Sequence, residues 1–158
     1  MKILGVEANN RRRRFEIRTR GKALVLPYAK TEPAPSADDR ITEVFVDPEF
    51  GDEAFTYRLA SGAEGSVHVD SVLEYNEDPS YMADLTLYRL TQEARARFEA
   101  SGLSAREIAR ALGTSPAQLY RLLEPTNYTK SVRQLLSLLY VLGCDVEVEV
   151  TQRRRAAS

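Results

Sequence analysis

The sequence of 158 residues contains one cysteine, one histidine and no tryptophan. Because a lone cysteine cannot form an internal disulfide, Cys144 is typical of a protein from a reducing compartment, and we expect a cytoplasmic protein. So few histidines and cysteines argue against most metal centres and most nucleophilic mechanisms. The nucleotide-binding patterns GxxxxGK[ST] and GxGxxG are also missing. We therefore expect no metal, no cofactor and no enzymatic activity.

Long apolar runs are missing as well. No stretch of about 18 apolar residues occurs, so the sequence predicts no membrane-spanning segment. The first residues, MKILGVEANNRRRRF, place their charges after a very short apolar stretch, which is the reverse of a secretory signal peptide. What is present, 43% hydrophobic and 28% charged residues, is typical of a globular protein and excludes a disordered or collagen-like chain.

The charges are distributed unevenly along the chain. Residues 1–84 contain 11 Lys and Arg against 16 Asp and Glu, a net charge of −5. Residues 85–158 contain 11 against 7, a net charge of +4. A mildly basic C-terminal half beside an acidic N-terminal half indicates that only the former faces a polyanion.

Alternating segments predict β-structure in residues 1–76. A loop with two prolines, residues 30–39, divides these segments into two groups. Polar residues between apolar ones imply one buried and one exposed face, as antiparallel sheets allow. We therefore predict a small antiparallel β domain whose role is dimerisation or the binding of a ligand or partner. The predicted strands are Lys2–Ala8, Phe15–Thr19, Ala23–Tyr28, Ile41–Asp47, Phe55–Leu59 and Ser66–Val72.

The last of these segments, SVHVDSV, contains the residue types of a hydrolytic triad. Ser66, His68 and Asp70 would share one side of the predicted strand. Spacing along a strand does not make a catalytic relay, and no glycine motif for an oxyanion hole accompanies these residues. We interpret them as a polar surface, since an enzyme would need a concave pocket around His68 and Asp70.

From Tyr81 the apolar period becomes helical, and the first predicted helix ends at Gly102. Three more predicted helices begin with serine followed three residues later by Glu or Gln, the capping-box pattern. Pro116 occupies a first helical position, where its missing N–H costs nothing. The three pairs are Ser104–Glu107, Ser115–Gln118 and Ser131–Gln134.

The sequence after the last predicted helix alternates strictly. Residues 145–150, DVEVEV, predict a C-terminal strand that either forms a dimer seam or pairs with the N-terminal sheet. Residues 151–158 are interpreted as a basic flexible tail. The predicted fold class is therefore α+β, with a small antiparallel β domain at 1–76 and an all-helical domain at 81–150 that ends in a β-strand.

Residues 104–123, SAREIARALGTSPAQLYRLL, contain a short helical pattern, a turn and a second helical pattern. Gly113 suits the left-handed conformation of a tight turn, and the small Ala109 allows the second helix to cross closely. Leu119 then lies on the apolar side of the second helix, which we expect to pack against the core. With Ala109, Gly113 and Leu119 at this spacing, the segment resembles the helix-turn-helix of lambda-repressor-like (XRE-type) DNA-binding domains.

The resemblance extends over residues 103–150. In that family a loop like EPTNYTKS contacts the DNA backbone, and a helix like the one predicted at Val132–Leu142 completes the core. The pattern RLL…NY.KSV..LL.LLYVLG, followed by an alternating segment, is also similar to C-terminal modules of HicB-type and related antitoxins. No family is identified for residues 1–80.

The resemblance implies that the helix beginning at Pro116 enters the major groove of DNA. Glutamine can pair bidentately with adenine and arginine with guanine, although Gln118 has the alternative task of capping its own helix with Ser115. The implied base-reading residues are Ser115, Ala117, Gln118, Tyr120 and Arg121. The implied contacts to the DNA backbone are Thr114, Asn127, Tyr128, Lys130 and Arg133.

We therefore expect a sequence-specific DNA-binding protein, a bacterial-type transcriptional regulator that acts as a homodimer on double-stranded DNA. The alternative is an antitoxin-like interaction module that neutralises a toxin and autoregulates its operon. A further choice concerns the run Arg11–Arg14, which is either a basic finger on nucleic-acid phosphates or a solvated hairpin tip.

Overall fold

The computed structural model describes residues 1–153, and its fold class is α+β, as predicted. The chain divides into two compact units, one of residues 1–82 and one that begins at Ala83. The last five residues of the predicted basic tail, 154–158, lie outside the described residues. Within residues 1–153, no helix combines the length and the apolar character that a bilayer crossing requires.

The first unit contains two antiparallel three-stranded sheets, and each sheet follows the chain order of its strands. Hydrophobic alternation predicted these strands well, because one face of β2, β3 and β6 is more buried than the other. Strand β5, at the centre of the second sheet, is buried on both faces over residues 54–57. Short 3₁₀ turns at Tyr28–Lys30 and Pro48–Phe50 follow the third and fourth strands. The strands are β1 Ile3–Asn9, β2 Arg14–Thr19, β3 Lys22–Pro27, β4 Ile41–Val46, β5 Ala54–Leu59 and β6 Glu64–His68.

An aromatic cluster lies at the centre of the first core. The ring of Phe15 on β2 packs 4.8 Å from that of Phe55 and 5.0 Å from that of Tyr57, both on β5. All three side chains are fully buried. Large rings at these separations contribute packing and ring–ring attraction beyond the area they bury. The cluster therefore joins the two sheets into one core.

The prediction of a strand over Ser66–Val72 is wrong for the second half of that segment. Strand β6 ends at His68, and helix α1, Val69–Tyr75, follows directly. The ring nitrogen Nδ1 of His68 accepts from the backbone N–H of Asp70 at 3.2 Å and caps this helix. A seven-residue segment fits both periods, and burial of Val69, Val72 and Leu73 favours the helix. Ser66 and His68 therefore share the exposed face of β6, whereas Asp70 belongs to α1 and does not share that face.

Four further helices follow α1. They confirm the helical segments predicted from apolar spacing and from the serine caps. Their core consists of fully buried side chains that include Ala94, Ile108, Leu119, Leu135 and Leu138. The helices are α2 Pro79–Ser101, α3 Ala105–Leu112, α4 Pro116–Leu122 and α5 Val132–Val141.

The predicted C-terminal strand is not formed. Residues 145–150 adopt no regular structure, and within residues 1–153 the two sheets consist of β1 to β6 alone. Val146 packs against the core of the second unit, whereas Val148 and Val150 are 80% and 89% exposed. A strand needs a neighbouring strand for its N–H and C=O groups, and the described chain supplies none to this segment.

Candidate functional site

Helices α3 and α4 are joined by a tight turn of three residues, Gly113 to Ser115. Gly113 has φ of 71°, a left-handed conformation that side chains with a Cβ disfavour. Its N–H donates to the carbonyl of Arg110 at 3.1 Å, and the N–H of Thr114 donates to that of Ala109 at 2.9 Å. These bonds end α3 and allow Ser115 to cap α4 directly.

Helix α4 has one buried and one exposed side. Leu119 is fully buried in the core of the second unit, and Ala117 and Arg121 lie on the opposite side. Because successive helical residues are about 100° apart, Gln118 and Tyr120 flank this exposed side on its two edges. All five residues predicted to read bases, Ser115, Ala117, Gln118, Tyr120 and Arg121, are exposed.

Only part of the predicted capping box forms at α4. The hydroxyl of Ser115 accepts from the backbone N–H of Gln118 at 3.3 Å, but the Gln118 carboxamide does not return a bond to Ser115. At α3 the reciprocal bond exists, with Glu107 Oε2 accepting from the N–H of Ser104 at 2.8 Å. The carboxamide of Gln118 is therefore not consumed by capping.

Gln118 lies in a groove of about 400 Å³ that α3, α4 and α5 form together. The groove brings together one predicted base-reading residue, Gln118, and two predicted backbone contacts, Thr114 and Arg133. Within residues 1–153, the guanidinium of Arg133 forms no ion pair. A cation, a hydroxyl and a carboxamide thus converge beside the exposed side of α4.

Tyr120 lies in a different place. It lines a second groove, of about 280 Å³, together with Arg95 and Phe98 of α2. Its ring is 59% exposed. Tyr120 therefore borders the exposed side of α4 on the edge opposite to Gln118, and the two side chains do not share a groove.

Lys130 does not fit its predicted role. It is only 7% exposed, and its ammonium donates to the backbone carbonyls of Leu122 at 3.0 Å and Glu124 at 2.7 Å. Burial lowers the pKa of Lys130, and the nearby charge of Glu124 partly opposes that shift. The ammonium thus satisfies carbonyls at the C-terminus of α4 and is not free for a DNA phosphate.

The loop between α4 and α5 is ordered by its own side chains. Asn127 donates from Nδ2 to the carbonyl of Arg121 at 3.1 Å and accepts at Oδ1 from the hydroxyl of Thr129 at 2.6 Å. Asn127 was predicted to contact the DNA backbone, and these two hydrogen bonds within the protein compete with that contact. Tyr128, beside it, is 44% exposed. The sequence EPTNYTKS could have indicated these bonds, because Asn and Thr side chains favour hydrogen bonds to neighbouring residues in turns.

The arginine run of the first unit begins in the loop between β1 and β2, and its last member, Arg14, is the first residue of β2. Arg14 is paired with Glu16, whose Oε1 accepts from its guanidinium at 2.9 Å and 3.1 Å. This bond is the main cause of the lowered pKa of Glu16. Arg11 and Arg12 are exposed. The run is therefore a hairpin tip in which one arginine is already neutralised.

No family model matches this chain, and neither the curated proteins nor the solved structures include a significant match to it.

Proposed function

We propose that the second unit binds double-stranded DNA and that α3 and α4 act as its helix-turn-helix. In this proposal a small β domain precedes an all-helical DNA-binding domain of the lambda-repressor-like type. The protein then acts in the cytoplasm as a sequence-specific transcriptional regulator. The observation that carries the proposal is the exposed side of α4, which adjoins the groove of Gln118, Thr114 and Arg133.

The chemistry of this surface suits DNA. Gln118 and Arg121 carry the two side-chain types that pair bidentately with adenine and guanine in the major groove. Ala117, one turn before Arg121 on the same side of α4, offers a methyl group to a thymine methyl. In this proposal Thr114 and Arg133, which line the adjoining groove, hold phosphates and fix the register of the helix without reading sequence.

The proposal includes a homodimer. One copy of α4 presents a single arginine, so that phosphate neutralisation by one subunit gives modest affinity. Two copies would read half-sites about 34–36 Å apart and add their contacts. Segment 145–150 is a candidate seam, since Val148 and Val150 are exposed and the backbone there has no strand partner.

The dimer is tested by sedimentation. We expect the full chain to sediment as a dimer at micromolar concentration, and the double variant Val148→Ser with Val150→Ser to shift toward the monomer. Leu4→Ser, a change at another exposed aliphatic residue, is the control. A wild-type protein that sediments as a monomer at every concentration would remove the homodimer from the proposal.

DNA binding is tested by selecting random duplex DNA with the purified full chain. We expect an enriched inverted repeat whose half-site centres are about 10 bp apart, and an affinity that falls steeply as salt increases. Failure to enrich any sequence at low salt would contradict sequence-specific binding.

A further inference from the structure

The first unit contains a pocket of about 260 Å³ between the β1–β2 loop and the segment that leads into β4. Two arginines line it, Arg13 from the loop and Arg40 from the segment. Asn10 and Ser36 add a carboxamide and a hydroxyl. The pocket lies wholly within residues 1–82, so nothing about it depends on the proposed function of α4.

The two arginines are not neutralised by the protein. Within residues 1–153, neither guanidinium lies within 4.0 Å of a carboxylate oxygen. The neighbouring carboxylate of Asp39 is engaged elsewhere, because it accepts from the N–H and the hydroxyl of Ser61 at 2.8 Å and 2.7 Å. By contrast, Arg58 on β5 is paired with both Glu43 and Glu64. A concave surface with two uncompensated cations concentrates positive potential.

Arg13 is held in a conformation that its residue type disfavours. Its φ is 52°, in the left-handed region where a Cβ meets the following carbonyl. Its own carbonyl accepts from the N–H of Tyr28 at 3.0 Å, which fixes the loop against the end of β3. Glycine would adopt this backbone at lower cost. The chain nevertheless has an arginine there, and its side chain lines the pocket.

The base of the pocket is rigid. Tyr28 is buried, and its hydroxyl donates to Oδ1 of Asn10 at 2.8 Å. With Oδ1 occupied, the Nδ2 group of Asn10 is the end of the carboxamide that can donate to a ligand. Burial raises the pKa of Tyr28, and the positive charge of Arg13 partly opposes this shift.

The other wall is held by the second sheet. The hydroxyl of Tyr57 on β5 donates to the carbonyl of Pro33 at 2.7 Å, and the N–H of Ala60 donates to that of Arg40 at 2.9 Å. The hydroxyl oxygen of Ser36 accepts from the N–H of Asp39 at 3.1 Å, which leaves its hydrogen free to donate. The backbone that carries Ser36 and Arg40 is therefore held in place before a ligand binds.

We infer that this pocket binds a small organic oxyanion, whose phosphate or carboxylate group lies between Arg13 and Arg40. Guanidinium groups match both oxyanions with two parallel hydrogen bonds. Pro35 and Ile41, which also line the pocket, contact a small apolar part of the ligand. The volume is below the range of about 300–1,000 Å³ that drug-sized ligands occupy, which restricts the ligand to a small molecule.

The test is calorimetric titration of the full chain with phenyl phosphate, inorganic phosphate and benzoate as separate probes. We expect one site per chain. The probe with the highest affinity identifies the preferred oxyanion, and the comparison of phenyl phosphate with inorganic phosphate shows whether the apolar part contributes to binding. Arg13→Gln and Arg40→Gln should each weaken that probe about tenfold, as loss of a charged hydrogen bond predicts. Arg20→Gln, at an exposed arginine outside the pocket, is the matched control and should bind like the wild type.

The variant Arg13→Gly separates binding from folding. Glycine accepts the left-handed backbone, so this variant should unfold at the same temperature as the wild type or higher, and should still lose about tenfold in affinity. The inference is overturned if none of the three probes saturates up to about 10 mM. It is equally overturned if Arg13→Gly binds as the wild type does or if Arg20→Gln weakens binding as much as Arg13→Gln.

Discussion

The ammonium of Lys130 donates to the carbonyl oxygen of Glu124 at 2.7 Å, across the loop that follows α4. A second bond from the same nitrogen reaches the carbonyl of Leu122 at 3.0 Å. The last carbonyls of a helix have no partners within it, and a buried cation at this place satisfies two backbone acceptors at once. Lys130 therefore holds the end of α4, the helix that the proposed function places in the major groove.

Replacing this lysine should cost stability and leave DNA sequence preference unchanged. Lys130→Met keeps the aliphatic stem but removes both charged hydrogen bonds, so we expect the free energy of unfolding to fall by about 1.5–3 kcal/mol. Urea unfolding measures the loss, with Lys30→Met, at an exposed position, as the control. If the variant is instead as stable as the wild type, and the slope of its DNA affinity against salt concentration falls by about one, Lys130 contacts a phosphate as the sequence predicted.

Arg121 should determine one base of the DNA site. We expect Arg121→Ala to weaken binding to the selected sequence by about 1–3 kcal/mol and to relax the preference at one position in each half-site. Competition binding against all single-base variants of the site measures this. Arg20→Ala removes the same charge from the first unit and should leave both quantities unchanged. Unaltered preference in Arg121→Ala would exclude Arg121 from base reading.

Arg133 should act on all sequences alike. It lies beside Gln118 in the groove and has no ion pair within the described residues. Loss of a phosphate contact in Arg133→Ala should weaken specific and nonspecific DNA equally and reduce the salt slope by about one. Binding isotherms at several salt concentrations test this. A loss confined to one sequence would show that Arg133 reads a base.

Asp78 should contribute to the acid sensitivity of the first unit. The bond from Lys22 is the main cause of its lowered pKa, and the N–H of Tyr81, which donates to Oδ1 at 3.0 Å, adds to it. Because the folded-state pKa lies below the unfolded one, this stabilisation is present at neutral pH. It is lost as the pH falls through the folded-state pKa, which lies below the ordinary value of an aspartate.

The comparison of Asp78→Asn with the wild type measures that contribution. Asparagine can keep the bond from Tyr81 but not the ion pair, and Lys22 is partly exposed, so we expect a loss of about 0.5–1 kcal/mol at pH 7. The two proteins should converge in stability as the pH falls through the folded-state pKa of Asp78. Asp38→Asn, at an exposed carboxylate, is the control. A difference in stability that stays equally large throughout the acid titration would mean that the carboxylate charge is not the cause.

The serine caps show which features of a helix start can be predicted from local sequence. Ser104, Ser115 and Ser131 each begin a helix as predicted, because the cap is a bond between residues three positions apart. Whether the Gln118 carboxamide completes its cap depends on its rotamer. The sequence left that choice open, and the structure shows the carboxamide in the groove beside Thr114 and Arg133.

Local sequence alone determined most of the secondary structure, since alternation, helical spacing, caps and turns all act between residues a few positions apart. The tertiary structure decided what depends on distant neighbours. It turned Val69 to Tyr75 into a helix, because a core was there to bury Val69, Val72 and Leu73. It left residues 145–150 without a strand, because a strand requires a partner that the described chain does not provide. It also directed Lys130 onto two carbonyls and brought Arg13 and Arg40 into one pocket, contacts between segments that no local period encodes.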